Sequence, residues 1–210
     1  MRGPYAALLL LLGLLLLLLC TATSICFGLN FRNSEVRCIE EERQALLKFK
    51  RGLQDDDGLL SSWGSHEEDC CNWKGIKCSN RTAHVVKLDL RGDLSFDEVL
   101  FHKGSIPRAF GNMVALVHLD LCYNNLEGSI PRAFGNMVAL VHLDLFYNNL
   151  EGSIPRAFGN MVALVHLGLS YNNLGGMMPR TLENLHNLQV LDLSSNNISG
   201  EIYAGNIGFA

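Results

Sequence analysis

A block of 24 residues recurs almost unchanged in this chain. Gly-Ser-Ile-Pro-Arg-Ala-Phe-Gly-Asn-Met-Val-Ala-Leu-Val-His-Leu opens at Gly104, Gly128 and Gly152, and each copy runs on to Tyr-Asn-Asn-Leu. Repetition at this period specifies a solenoid, because one such unit is too small to bury its own apolar face and must stack on its neighbours. Period-2 alternation around Leu119 and Leu121, following Leu116, predicts a short strand with its leucines turned inward. The same places recur at Leu140, Leu143 and Leu145 and at Leu164, Leu167 and Leu169.

Two weaker copies flank the block. Leu188, Leu191, Leu193 and Ile198 make a diverged copy after it, and Leu88 and Leu90 begin one before it, with extra residues within 91–103 that read as a loop insertion. Asn124, Asn148, Asn172 and Asn196 fall where each strand turns away, and a buried amide there can satisfy backbone groups of its own turn and the next. Their role is expected to be structural. Pro107, Pro131, Pro155 and Pro179 fix φ on the opposite side, where a continuous helix or sheet is unwanted, and Phe110, Phe134, Phe158 and Leu182 are the expected core plugs there.

The remainder delivers or caps this stack. Residues 6–19 are almost all Leu and Ala, preceded by Arg2 and followed by Thr21, Ala22, Thr23 and Ser24, which is the layout of a secretory signal over 1–24. That run is too short to span a bilayer, and no later segment approaches spanning length. A secreted or extracellular (apoplastic) protein without a transmembrane span in this chain is expected. Residues 25–37 read as a flexible lead. The net charge of -4, with 17 Lys and Arg scattered along the chain, argues against nucleic acid as a partner.

Between lead and repeats, Glu40, Glu41 and Glu42 suit a helix N-terminus, Leu46, Phe49 and Leu53 follow at helical spacing, and Gly52 marks the end. Leu59, Leu60 and Trp63 supply a second short element. Residues 73–78 and 83–90 read as two strands of a hairpin turning through Ser79-Asn80-Arg81-Thr82. Of seven Cys, Cys38, Cys70, Cys71 and Cys78 crowd into this region, and a secreted chain favours disulfides over zinc for them, since paired C-x-x-C knuckles are lacking. The adjacent Cys70 and Cys71 cannot easily bond each other, so each is expected to reach elsewhere.

The pattern L-x-x-L-x-L-x-x-N-x-L-x-G-x-I-P resembles the plant-specific leucine-rich repeat. The segment from Cys38 through Leu60-Ser61-Ser62-Trp63 to Cys70-Cys71-Asn72-Trp73 and Cys78 resembles the N-terminal cap of the same family. Together they look most like the extracellular part of plant receptor-like proteins, in a short or truncated form. The resemblance implies an α/β solenoid: a right-handed leucine-rich-repeat superhelix with a parallel β-sheet on its concave face and a disulfide-bonded helical and hairpin cap. It implies pairing of Cys38 with Cys70 and of Cys71 with Cys78 and a cap over 38–83, with about five repeats over 84–203; the tail at 204–210 is expected to be uncapped, which departs from the family pattern. With no nucleophile elbow, phosphate loop or isolated carboxylate pair, no enzymatic activity and no cofactor are expected, and the resemblance implies a protein or peptide ligand, with a co-receptor or a microbial hydrolase as candidate partners. The function implied is extracellular recognition of the receptor-like type, in pathogen or elicitor perception. The alternatives are a secreted inhibitor resembling polygalacturonase-inhibiting proteins, and a non-functional remnant of a longer receptor.

In parallel strands, outward residues at equivalent positions form columns about 4.8 Å apart. The expected concave-face contacts are His118, His142 and His166; Asp120 and Asp144; and Tyr123, Tyr147 and Tyr171 with Phe146. Exposed aromatics on a rigid concave scaffold are where recognition energy concentrates, although recent duplication alone would also align residues in columns. No metal site is expected, because imidazoles on three stacked strands are spread too far to meet one ion. Asn80 and Asn197 fit the N-glycosylation pattern, Asn80 in the more open position. Cys122 stands where the other copies have Phe146, Ser170 and Ser194, and reads as unpaired unless Cys26 folds back to it.

Overall fold

The computed structural model describes residues 37–55, 58–64, 68–92 and 102–200. The expected signal, Cys26, most of the first-repeat insertion and the C-terminal tail lie outside these residues.

The first element is the helix α1, Glu40–Gly52, with three Glu in its first turn and Lys50 and Arg51 in its last, both matched to the helix dipole. Its buried face carries Ala45, Leu46 and Phe49, and Phe49 meets Phe110 of the first outer turn edge-on at 4.8 Å. A short strand β1, Leu53–Gln54, follows. The stretch with Leu60 and Trp63 forms turns and no regular element, yet both side chains are buried. Trp63 stacks on Trp73 at 5.4 Å and donates its indole N–H to the Lys74 carbonyl. Lys50 Nζ donates to the carbonyls of Leu60 and Trp63, which closes this segment onto the helix.

Disulfides join Cys38 to Cys70 and Cys71 to Cys78. Asp69 Oδ1 accepts the backbone N–H of both Cys38 and Cys71, so one carboxylate fixes a half-cystine of each bridge. The hairpin is shorter than the sequence suggests. Residues 70–72 form a 3-10 turn, and strand pairing is confined to β2, Ile76–Cys78, against β3, Val85–Asp89. The helix and the hairpin are pinned by Glu42. Its buried carboxylate accepts the Val85 N–H at 2.7 Å and lies 2.9 Å from His84 Nδ1. Read in the sequence as one of three N-terminal acids, Glu42 is in fact a buried tie.

From β3 onward the chain makes one circuit per repeat. Among the described residues, one sheet has the order β2-β3-β5-β7-β9-β11, with β5 His118–Asp120, β7 His142–Asp144, β9 His166–Gly168 and β11 Val190–Asp192. Beyond the β2/β3 hairpin all its pairs are parallel and in register, aligning Leu88, Leu119, Leu143, Leu167 and Leu191 in a buried row. This is the concave sheet of a leucine-rich-repeat solenoid.

A second six-stranded sheet, absent from the sequence expectation, joins β1 to β4 (Lys103–Ser105), β6 (Asn125–Ser129), β8 (Asn149–Gly152), β10 (Asn173–Met177) and β12 (Asn197–Ser199). Of these strands β4, β6, β8 and β10 each stop before a repeat proline, which lacks a ladder N–H and opens a 3-10 turn instead, as Pro131 does for Arg132–Asn136. The plugs Phe110, Phe134 and Phe158 are fully buried behind those turns.

The turns stack tightly. A Cβ on Gly135 would lie 2.5 Å from the Ala157 carbonyl oxygen, so only glycine lets adjacent turns approach this closely. Stacking also corrects the picture of scattered basic residues. Arg108, Arg132 and Arg156 lie side by side along one open outer groove, because a 24-residue spacing in sequence is a neighbour relation in space.

Each repeat asparagine bridges two circuits. Asn148 Nδ2 faces the carbonyls of Leu121 in the preceding repeat and of Leu145 and Phe146 in its own, while Oδ1 accepts the Leu126 N–H. Asn124, Asn172 and Asn196 repeat the arrangement, the Oδ1 of Asn124 taking the His102 N–H. The amide therefore satisfies backbone groups that the turn leaves without ladder partners.

Candidate functional site

The concave strands set three columns on the inner surface. The imidazoles of His118 and His142 stack at 4.3 Å with planes 7° apart, and those of His142 and His166 at 4.3 Å and 14°. Parallel register alone imposes this, since each His occupies the same pleat position. The rings are half-buried. Burial pushes the pKa of His118 below its ordinary value, with the Lys87 charge adding to it; burial and then the neighbouring imidazoles do the same to His142. Both are therefore neutral at neutral pH.

The aspartate column divides by environment. Asp120 corrects the expectation of an open contact residue. It is only 5% exposed, its Oδ1 accepts the Cys122 N–H, and its Oδ2 lies 3.4 Å from Arg91 Nε. Asp192 is committed too, accepting from Ser170 Oγ, Ser194 Oγ and the Ser194 N–H. Asp144 Oδ1 accepts the Phe146 N–H, and Oδ2 faces His166 Nε2 at 3.8 Å. At Gly168 the column is interrupted.

Beyond the strands, Tyr123, Tyr147 and Tyr171 each adopt the left-handed backbone conformation, with φ of 52°, 52° and 53°. Nothing in the amino-acid pattern announces this conformation in tyrosine, which adopts it at some cost. The turn aims the rings along the inner surface. Phe146 meets Tyr123 edge-on at 4.9 Å and Tyr171 at 5.4 Å, and Tyr147 and Tyr171 remain 47% and 52% exposed. Cys122, at the Phe146 place of the preceding repeat, is a buried free thiol. Burial, a hydrogen bond with Asp120 and the charges of Asp120 and Asp144 push its pKa far up, so it stays protonated and unreactive.

Both sequon asparagines, Asn80 and Asn197, are exposed, so Asn197 is more open than expected. No described helix is long and apolar enough to cross a membrane.

Comparison with known proteins agrees with this architecture. The leucine-rich repeat N-terminal domain family matches residues 39–79, and the leucine-rich repeat family matches residues 106–150 and 152–198. Receptor-like protein EIX2 of Solanum lycopersicum is 47% identical over 119 residues, covering 53% of this chain and 11% of that protein. Among solved structures, the BIR2 ectodomain from Arabidopsis thaliana superposes with a TM-score of 0.68 at 32% identity, over 76% of this chain and 82% of that one. PEPR1 in its structure with AtPEP1 gives 0.69 at 31% identity, over 78% of this chain and 22% of the receptor. The chain belongs to the plant leucine-rich-repeat family, with the cap and repeats of its receptor-like proteins. It spans about a tenth of the length of the curated relatives it matches.

Proposed function

We propose that this chain is an extracellular recognition module of the plant receptor-like type, which binds a protein or peptide on its concave face and takes part in elicitor perception. The observation that carries the reading is the aromatic stripe of Tyr123, Phe146, Tyr147 and Tyr171, laid across adjacent rigid strands with Tyr147 and Tyr171 half in solvent. Such rings lose little side-chain entropy on binding and dominate recognition energy when a partner covers them. The similarity to PEPR1, solved with AtPEP1, supports a peptide as the class of ligand. A non-enzymatic role and an apoplastic location belong to the same reading, as do glycans at Asn80 and Asn197.

The test is a binding screen of the purified chain against plant secreted peptides and microbial culture proteins, followed by variants on any saturable hit. Tyr147→Ala with Tyr171→Ala should weaken binding by roughly a thousandfold, since aromatic anchors covered by a partner contribute about 2 kcal/mol or more each. Val138→Ser, an exposed change away from the stripe, should leave affinity unaltered. Equal affinity for both variants would remove the concave stripe from recognition.

A further inference from the structure

Beside the aromatic stripe, the His and Asp columns bring nitrogen and oxygen donors together on adjacent strands. We propose that His142, Asp144 and His166 form a binding site for a first-row transition-metal dication of the Zn2+ type.

The three donor atoms lie within 4.8 Å of one another. Imidazoles on three strands are too spread to share one ion, but two adjacent strands, β7 and β9, supply this whole set. Four donors at about 2.0 to 2.1 Å from a tetrahedral centre sit roughly 3.4 Å apart. His166 Nε2 and Asp144 Oδ2 are already at 3.8 Å, and His142, stacked on His166 with planes 14° apart, has to turn out of the stack to aim its nitrogen at the same centre. His166 Nε2 is buried and lacks a hydrogen-bond partner. A buried polar atom left this way calls for a bound group, since an unpaired one is costly to keep out of water. Imidazole with carboxylate is a donor set that suits Zn2+, and the concave side leaves a fourth position for water.

Three comparisons within the molecule single out this tier. At the equivalent tier one repeat earlier, His118 Nε2 is also unpartnered, but Asp120 is held by the Cys122 N–H and faces the Arg91 guanidinium, whose charge opposes a second cation. The grouping of Asp120, Cys122 and Asp144 includes the same Asp120 that the Arg91 guanidinium faces. Asp192 spends both oxygens on serine donors. Asp144 alone of the three carboxylates has an oxygen turned to an unpartnered imidazole nitrogen and to no cation or hydroxyl.

The interruption at Gly168 completes the site. A Cβ there would stand 2.7 Å from Asp144 Oδ1 and 3.2 Å from His166 Nε2, so the missing side chain is what lets carboxylate and imidazole approach each other.

The experiment titrates Zn2+ into EDTA-stripped full chain by isothermal calorimetry, with metal content after dialysis as a second readout. The expected result is one ion per chain, with affinity reduced by at least roughly tenfold in Asp144→Asn and in His166→Gln. His186→Gln, an exposed histidine elsewhere, should bind as the parent does. Gly168→Ala adds only a methyl group and removes no donor, yet should also weaken binding. It keeps the test decisive should the other variants fail to fold, which metal-free thermal unfolding would reveal. No saturable binding, or binding undiminished in the folded variants, overturns the proposal.

Discussion

Replacing Asn148 by Ala removes the side chain that ties the second copy of the 24-residue block to the first. Its amide has two N–H groups facing the carbonyls of Leu121 at 2.9 Å, Leu145 at 3.2 Å and Phe146 at 3.3 Å, and its oxygen takes the Leu126 N–H at 3.0 Å. Two donated bonds at about 1 kcal/mol each, plus about 1 to 3 kcal/mol for stranding the Leu126 N–H, give a loss of about 3 to 5 kcal/mol. That is a large share of the roughly 5 to 15 kcal/mol that holds a domain together. Urea unfolding followed by circular dichroism reads it as a lower midpoint. A reduced slope is also expected, because weakening one interface of a one-dimensional stack lets its halves unfold separately. Asn148→Asp sharpens the argument. It keeps the acceptor for Leu126 but sets a carboxylate oxygen against three carbonyls, so at neutral pH it should destabilise at least as much as Ala. The exposed neighbour Asn149→Ala should change stability by no more than about 0.5 kcal/mol. If Asn148→Asp costs less than about 1 kcal/mol, amide donation is not what joins the repeats, and the reasoning fails.

Gly135→Ala should destabilise by about 1 to 3 kcal/mol in the same assay, because the new methyl meets the Ala157 carbonyl oxygen at 2.5 Å and overpacks the outer turns. Replacing Cys38 and Cys70 by Ser opens a loop with a sequence separation of 32 residues and should cost about 3 to 4 kcal/mol of cap stability by chain entropy; protease nicking within 39–70 checks it. Stability should be full above about pH 6.5 and fall below it, since the unfolded chain binds protons at the ordinary histidine value of 6.5 while His118 and His142 resist them when folded. A second decline belongs below pH 3.8, where Asp89 and Asp192 lose hydrogen bonds that outweigh the burial opposing their ionisation. His118→Gln with His142→Gln should flatten the upper decline alone, and an unchanged upper decline in that variant would contradict the assignment.

Much of this architecture is legible in the sequence because a repeat converts position into geometry. Leu119, Leu143 and Leu167 must share a face once the period is known, and the asparagine that follows each strand must sit at its turn. The acidic start and apolar spacing of α1 are equally plain. The second sheet is not legible, since Asn-Leu-Glu-Gly-Ser has low strand propensity and pairs only because the first sheet has already brought successive circuits together. Nor could sequence separate Asp120 from Asp144, which occupy the same repeat position. Arg91 and the interruption at Gly168 make one a held carboxylate and the other a poised one. The left-handed tyrosines and the buried tie at Glu42 likewise come from tertiary context.

Hydroxyl-radical footprinting tests most directly whether identical repeats stack with leucine and phenylalanine inside and tyrosine on the inner surface. Aromatic rings of similar reactivity then report on opposite sides of the same circuit. Tyr147 and Tyr171, about half exposed, should be modified readily, while Phe134 and Phe158, with no exposed surface, should be protected until the chain unfolds. Comparable labelling of the four rings in the native protein, or protected tyrosines beside modified phenylalanines, would contradict the stacked arrangement.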